Sequence, residues 1–223
     1  KYLSQGVVEG ASRWTPEGGT PQGAIISPLL SNIYLDPLDH LMKKAGFEMV
    51  RYADDWVVLC RSASEAQQAL ETARKWLEEN GLTLHPEKTR VVDASQPGGF
   101  DFLGYHFERD YRSPSRKSVN KLRDTIRAKS KRTNGHSLAC IIASVNATLR
   151  GWFEYFKHGY YTTFRPLDGW VRMRLRSILR KRRGKRGRGR GFDHNVWPNA
   201  FFAAQGLFSM TEALAVARRS LCR

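Results

Sequence analysis

Apolar residues return every three or four positions most persistently in the second half of the 223-residue chain. Leu138, Ile141, Ile142, Val145, Leu149, Trp152 and Phe156 predict a long amphipathic helix there. Val119, Leu122 and Ile126 predict a helix before it, broken at Asn134-Gly135, and Leu167, Trp170, Val171 and Ile178 predict one after it. In the first half, Leu30, Ile33, Tyr34, Leu38, Leu41 and Met42 predict a helix over 27–45 with one buried face. Ser27 is its expected cap, Pro28 its first residue and Gly46 its exit, with a kink at Pro37. A capping box of Ser62 and Glu65 opens another helix through Ala66, Ala69, Leu70, Ala73 and Leu77 to Asn80-Gly81.

The period changes from helical to strand-like between these two front helices. Residues 49–52 and 56–60 read as a hairpin with Asp54 and Asp55 between its strands. Short strands are expected at 82–84 and 91–92, and a further one in "GGFDFLGYHF" (98–107), where Gly104 lets another backbone come close. Helix, hairpin, helix and strands make an α+β layer, an antiparallel sheet with helices on one face, followed by an α-helical part. The aromatic tail "FDHNVWPNAFFAAQGLFSM" reads as an irregular cap, and Glu9 and Glu17 lie in polar, Gly-containing sequence without a strand pattern.

Charge divides the chain more sharply than hydropathy does. The total is +16, yet residues 1–107 hold 10 Lys and Arg against 14 Asp and Glu, while residues 108–223 hold 27 against 7. A slightly acidic front and a strongly basic rear imply two tasks, the second involving a polyanion. With 41% hydrophobic and 11% aromatic residues the chain folds rather than staying disordered. Cys60, Cys140 and Cys222 are too few and too scattered for a disulfide framework or a zinc site, and the six histidines show no ligand spacing. The absence of an 18-residue apolar stretch and of a leader pattern points to a cytoplasmic protein with no membrane partner.

Two adjacent aspartates between apolar strands admit two explanations. Asp is a favoured turn residue. Two carboxylates at a rigid tip also suit a divalent metal that carries phosphate chemistry. The neighbouring stretches bear on the choice. "YADD" (52–55), "GTPQGAIISPLLSNIYLDPLD" (19–39), "GLTLHPEKTRV" (81–91), "FDFLGYHF" (100–107) and "LRGWFEYFK" (149–157) together resemble the reverse transcriptases encoded by bacterial group II introns. So does the ending "RGRGFDHNVWPNAFFAAQGLFSM".

That resemblance implies a partial polymerase palm over 1–108, a helical thumb or maturase domain over 109–180, and a basic, aromatic tail over 181–223. It implies RNA-directed DNA polymerase activity with two Mg²⁺ ions, catalytic and metal-holding roles for Asp54 and Asp55, and a location with the bacterial nucleoid. Tyr52 and Ala53 would underlie the primer end and nucleotide sugar, Gln22 and Gly23 the template–primer and nucleotide, and Lys88 the nucleotide phosphates. One family carboxylate, on a strand upstream of Thr20, has no counterpart, so the expectation is a C-terminal piece with one metal ligand absent and no fingers. Partners implied are intron RNA, DNA target and primer, and dNTPs.

The basic run supplies the expected RNA contacts: Arg172, Arg174, Arg176, Arg180, Lys181, Arg182, Arg183, Lys185, Arg186, Arg188 and Arg190. A one-sign block repels itself unless a polyanion neutralises it, and arginine forks match phosphate oxygens. Interleaved glycines give it a backbone that follows an RNA surface. The aromatics of 152–156 could stack on bases, although their helical spacing places some in the core. The alternative function is a non-catalytic RNA-binding maturase in which the palm is only scaffold.

Overall fold

The computed structural model describes the backbone of residues 7–9, 12–14, 25–189 and 191–221, with side chains for 25–189 and 191–219. The chain divides into two compact units, Lys1–Asp93 and Ala94–Arg223.

In the first unit, β1 (Val7–Glu9) and β2 (Ser12–Trp14) pair antiparallel, so Glu9 lies in a strand that the sequence pattern did not reveal. Helix α1 (Ser27–Lys44) and helix α2 (Ala63–Glu79) flank the hairpin of β3 (Glu48–Tyr52) and β4 (Asp55–Leu59) in sequence. Leu35, Leu38 and Met42 of α1 meet Ala69, Ala73 and Leu77 of α2, with Met49, Trp56 and Val58 of the hairpin packed against them. Truncating Leu38 or Met42, both fully buried, to Ala costs about 2–5 kcal/mol. The buried stripe of α1 is narrower than expected. Ile33 and Tyr34 are exposed, and the Tyr34 hydroxyl donates to the Asn80 carbonyl at 2.6 Å.

Ser27 does not cap α1. The cap position is Ile26, already helical at φ −85° with no side-chain bond, because the helix starts one residue earlier than a Ser27 cap requires. Pro37 sits within α1, which continues through it. At α2 the expected cap forms: the Glu65 amide donates to Ser62 Oγ at 3.1 Å. The Glu65 carboxylate accepts from the Arg61 amide at 2.6 Å. The expected strands at 82–84 and 91–92 are loop. Gly81 takes φ +69° and the Leu82 amide bonds back to the Leu77 carbonyl at 2.8 Å, so the chain closes the helix end rather than extending.

In the second unit the single strand expected over 98–107 is instead two arms of a sheet. β5 (Phe100–Phe102), β6 (Tyr105–Glu108) and β7 (Tyr111–Pro114) form an antiparallel meander. The chain reverses at Leu103 and Gly104, whose φ values are +48° and +78°. The Gly104 carbonyl accepts from the Ser115 amide and the Ser118 hydroxyl at 2.8 and 2.9 Å, so side chain as well as backbone closes on it. Helices α3 (Arg116–Lys129), α4 (Leu138–Phe156) and α5 (Phe164–Arg182) follow, with a 3-10 turn at Tyr161–Thr163. Tyr105 and Phe156 rings, 4.9 Å apart, join sheet to α4, so the expected boundary at 108 falls inside this unit.

The tail is not irregular: it folds as α6 (Asp193–Val196), α7 (Asn199–Ala204) and α8 (Met210–Leu221). Trp197, Phe202, Met210 and Leu214 enter one core with Ile126, Val145, Leu149, Phe164, Leu175 and Ile178. Buried Asp168 on α5 accepts from the Met210 and Thr211 amides at 3.1 and 3.0 Å, which caps α8 from a neighbouring helix. Phe153 and Phe156 are buried and Trp152 packs against that core, so the aromatics of 152–156 are chiefly core rather than an open platform.

Candidate functional site

The register of the front hairpin sets the site. Tyr52 pairs with Asp55, which leaves Ala53 and Asp54 as a two-residue turn. Ala53 takes φ +54°, a left-handed conformation that costs a residue with Cβ roughly 1–2 kcal/mol. Something must hold that turn, and Arg51 does. Met49 and Arg51 share the strand face opposite to exposed Val50 and Tyr52. Arg51 keeps only 10% of its side chain exposed. Its Nε and Nη2 both donate to the Asp39 carboxylate of α1, the first at 2.8 Å. Its Nη1 donates to Asn32 Oδ1 and to the Ala53 carbonyl, each at 3.0 Å. The hydrogen bond that Arg51 donates to Asp39 raises the Arg51 pKa above its ordinary value, against the opposing effect of burial.

The braced turn presents two free carboxylates. Asp54 and Asp55 are exposed, and neither side chain has a hydrogen bond or ion pair with a described residue. Tyr52, 68% exposed, stands on the same face as Asp55. Lys88 is exposed in the turn that follows α2, where its amide bonds the His85 carbonyl, and it forms no ion pair with either aspartate. Gln22 and Gly23 lie outside the described residues.

A divalent cation fits this pair in kind. Hard, unengaged carboxylate oxygens are what Mg²⁺ takes. They do not by themselves complete a ligand set: among the described residues no group of three His, Cys, Asp or Glu comes together. Arg51 and its partners Asp39 and Asn32 escaped the sequence reading. The available signal was a lone arginine alternating with Met49 on the inward face of an apolar strand.

The basic run separates into cations used by the fold and cations left free. Arg176 departs most from expectation. It is 2% exposed, donates to the Trp197 carbonyl and Asn199 Oδ1 at 2.8 Å each, and lies over the Phe202 ring. Burial lowers its pKa first, and Arg172 adds to that. Arg174 is bound to Ser130 Oγ and the Ser130 carbonyl at 2.7 and 2.9 Å. Arg180 pairs with buried Asp193 at 2.8 Å, Arg182 donates to the His136 carbonyl, and Arg183 covers Trp197.

Half-buried Arg172 and exposed Lys181, Lys185, Arg186 and Arg188 have no side-chain partner among the described residues, and Arg190 lies outside them. The glycines do more than loosen this stretch. Gly184 and Gly187 turn the chain at φ +74° and +89°. The Gly189 amide then donates to Ser177 Oγ at 3.0 Å, where a Cβ would collide with Arg176. The run is thus a folded turn with its free charges outward. No helix among the described residues is long and apolar enough to cross a membrane.

Residues 2–107 match the family described as reverse transcriptase (RNA-dependent DNA polymerase), and residues 119–197 match the group II intron, maturase-specific domain. The group II intron-encoded protein LtrA of Lactococcus lactis subsp. cremoris is 27% identical over 170 residues, 47% of this chain and 28% of that protein. The protein YkfC of Escherichia coli is 28% identical over 162 residues, 57% of this chain and 41% of that protein. A retrovirus-related Pol polyprotein from the type-1 retrotransposable element R2 of Nasonia vitripennis is 34% identical over 102 residues, 42% of this chain and 10% of that protein. The chain spans less than half the length of these curated relatives. With a reverse transcriptase segment that carries the aspartate hairpin and a maturase-specific segment behind it, the chain belongs to the group II intron reverse transcriptase/maturase family.

Proposed function

We propose that this chain carries the catalytic hairpin and RNA-gripping part of an RNA-directed DNA polymerase that also assists the splicing of its group II intron. The observation that carries the reading is the free pair Asp54 and Asp55 on a turn braced by Arg51. Asp54 and Asp55 would hold Mg²⁺. Bound Mg²⁺ supplies the charge that offsets phosphate oxygens and makes a primer hydroxyl more acidic. Tyr52 and Ala53 sit beneath the primer end and the nucleotide sugar, Gln22 and Gly23 meet the template–primer, and Lys88 approaches the nucleotide phosphates. Arg172, Lys181, Lys185, Arg186 and Arg188 neutralise phosphates of intron RNA, with Arg183 beside them. DNA target, primer and dNTPs complete the partners, met in the bacterial cytoplasm at the nucleoid.

The test exploits donor softness. A thiolate is a poor ligand for Mg²⁺ and a better one for softer ions. In the full-length protein, Asp54→Cys lowers RNA-templated primer extension in Mg²⁺ on the order of a thousandfold, about 4 kcal/mol of barrier. Mn²⁺ restores part of it. Extension in Mg²⁺ at the wild-type rate would overturn the assignment.

A further inference from the structure

Trp170 on α5 has three guanidinium groups around its indole. Arg123 and Arg127, one turn apart on α3, place Cζ 5.9 and 5.8 Å from the ring centroid. Arg174, one turn beyond Trp170, places its Cζ at 5.5 Å. An indole has two faces, so it cannot compensate three cations at once. Carboxylates do little more. Asp124 accepts from Arg127 at 2.5 Å, but the two side chains are 70% and 52% exposed, and such pairs hold weakly. Arg174 is kept in place by Ser130, and burial, then Arg127 and Arg132, hold its pKa below the ordinary arginine value. Arg123 is the least satisfied: its Nε is buried without a hydrogen-bond partner among the described residues, and its side chain has no ion pair with any of them.

We infer that Arg123, Arg127, Arg174 and Trp170 form a phosphate-binding site for an RNA backbone, separate from the basic turn after α5. This rests on the proposed RNA-binding reading. Phosphate oxygens meet the outer guanidinium nitrogens, not the buried Arg123 Nε, since guanidinium forks match them in shape and charge. Trp170 keeps the guanidinium groups at the surface by stacking, without neutralising them. A polyanion suits the site better than a free ion because the charge continues along the helix. Arg116, Arg123 and Arg127 are spaced by seven and four residues, which puts them on one face over roughly 16 Å. Exposed Lys117 and Lys121 add positive charge farther round the helix.

The experiment uses the full chain with Arg123→Gln and Arg127→Gln together, and a 20-base-pair RNA duplex of arbitrary sequence as probe. Affinity is measured across a salt series, with circular dichroism to show that the variant is folded. The expected slope of log affinity against log salt flattens by about 1.4–1.8, two contacts at roughly 0.7–0.9 each. Should the double variant fail to fold, Arg127→Gln alone, at an exposed position, flattens it by about 0.7–0.9. An unchanged slope in a variant of a wild type that binds RNA overturns the site and leaves the RNA reading standing. A wild type without RNA affinity overturns both. Saturable heat with millimolar inorganic phosphate at constant ionic strength, alongside an unchanged RNA slope, overturns the RNA assignment in favour of the free ion.

Discussion

A carboxylate on a two-residue turn keeps its oxygens for a ligand only when another group holds the turn. Arg51 is that group, because one side chain ties Asp39 and Asn32 of α1 to the Ala53 carbonyl. Replacing it with Met keeps the apolar stem and removes the fork. The expected loss is about 1.5–3 kcal/mol of unfolding free energy, read from denaturant titration of the chain. Arg51→Lys does not restore it, since a point charge cannot reach carboxylate and carbonyl together. Wild-type stability in both variants would show that the turn is held otherwise. The Asp54–Asp55 pair was legible in sequence because a charged dipeptide interrupts an apolar run. Arg51 was not, because its value lies in partners 12 and 19 residues away that only packing brings near.

Elements were legible where periodicity was long. The stripes that predicted α2, α4 and α5 are the ones the core uses, since burial of one face rewards that spacing. Short segments were decided by turn geometry instead. Leu103 at positive φ split one expected strand into two, and Gly81 turned another into a helix closure. The basic run was legible in composition but not in its division of labour, which depends on partners such as Ser130, Asp193 and Trp197 that only packing brings near. That division is testable. Changing Lys181, Lys185, Arg186 and Arg188 to Gln flattens the salt dependence of RNA binding by about 2.8–3.6 and leaves thermal stability near wild type. Arg176→Ala does the reverse, costing about 2–5 kcal/mol of stability with the slope retained in the folded fraction. A stability loss in the first variant, or a flattened slope in the second, would mean these roles are misassigned.

Across the whole molecule, charge follows the division into units. Residues 1–93 carry 10 Lys and Arg against 13 Asp and Glu, and residues 94–223 carry 27 against 8. The unit with free carboxylates is mildly acidic, which suits a site that collects divalent cations. The unit with the maturase-specific match is strongly basic, which suits a backbone-reading RNA surface. On the proposed function, catalysis and RNA grip rest on different residues, so a change in one is expected to leave the other in place. The most direct measurement is RNA-templated primer extension by the full-length protein with Asp54→Ala, with intron RNA affinity measured on the same preparation. The account predicts that extension is lost while affinity stays within about twofold, less than 0.5 kcal/mol. Extension at a rate comparable to wild type would contradict it.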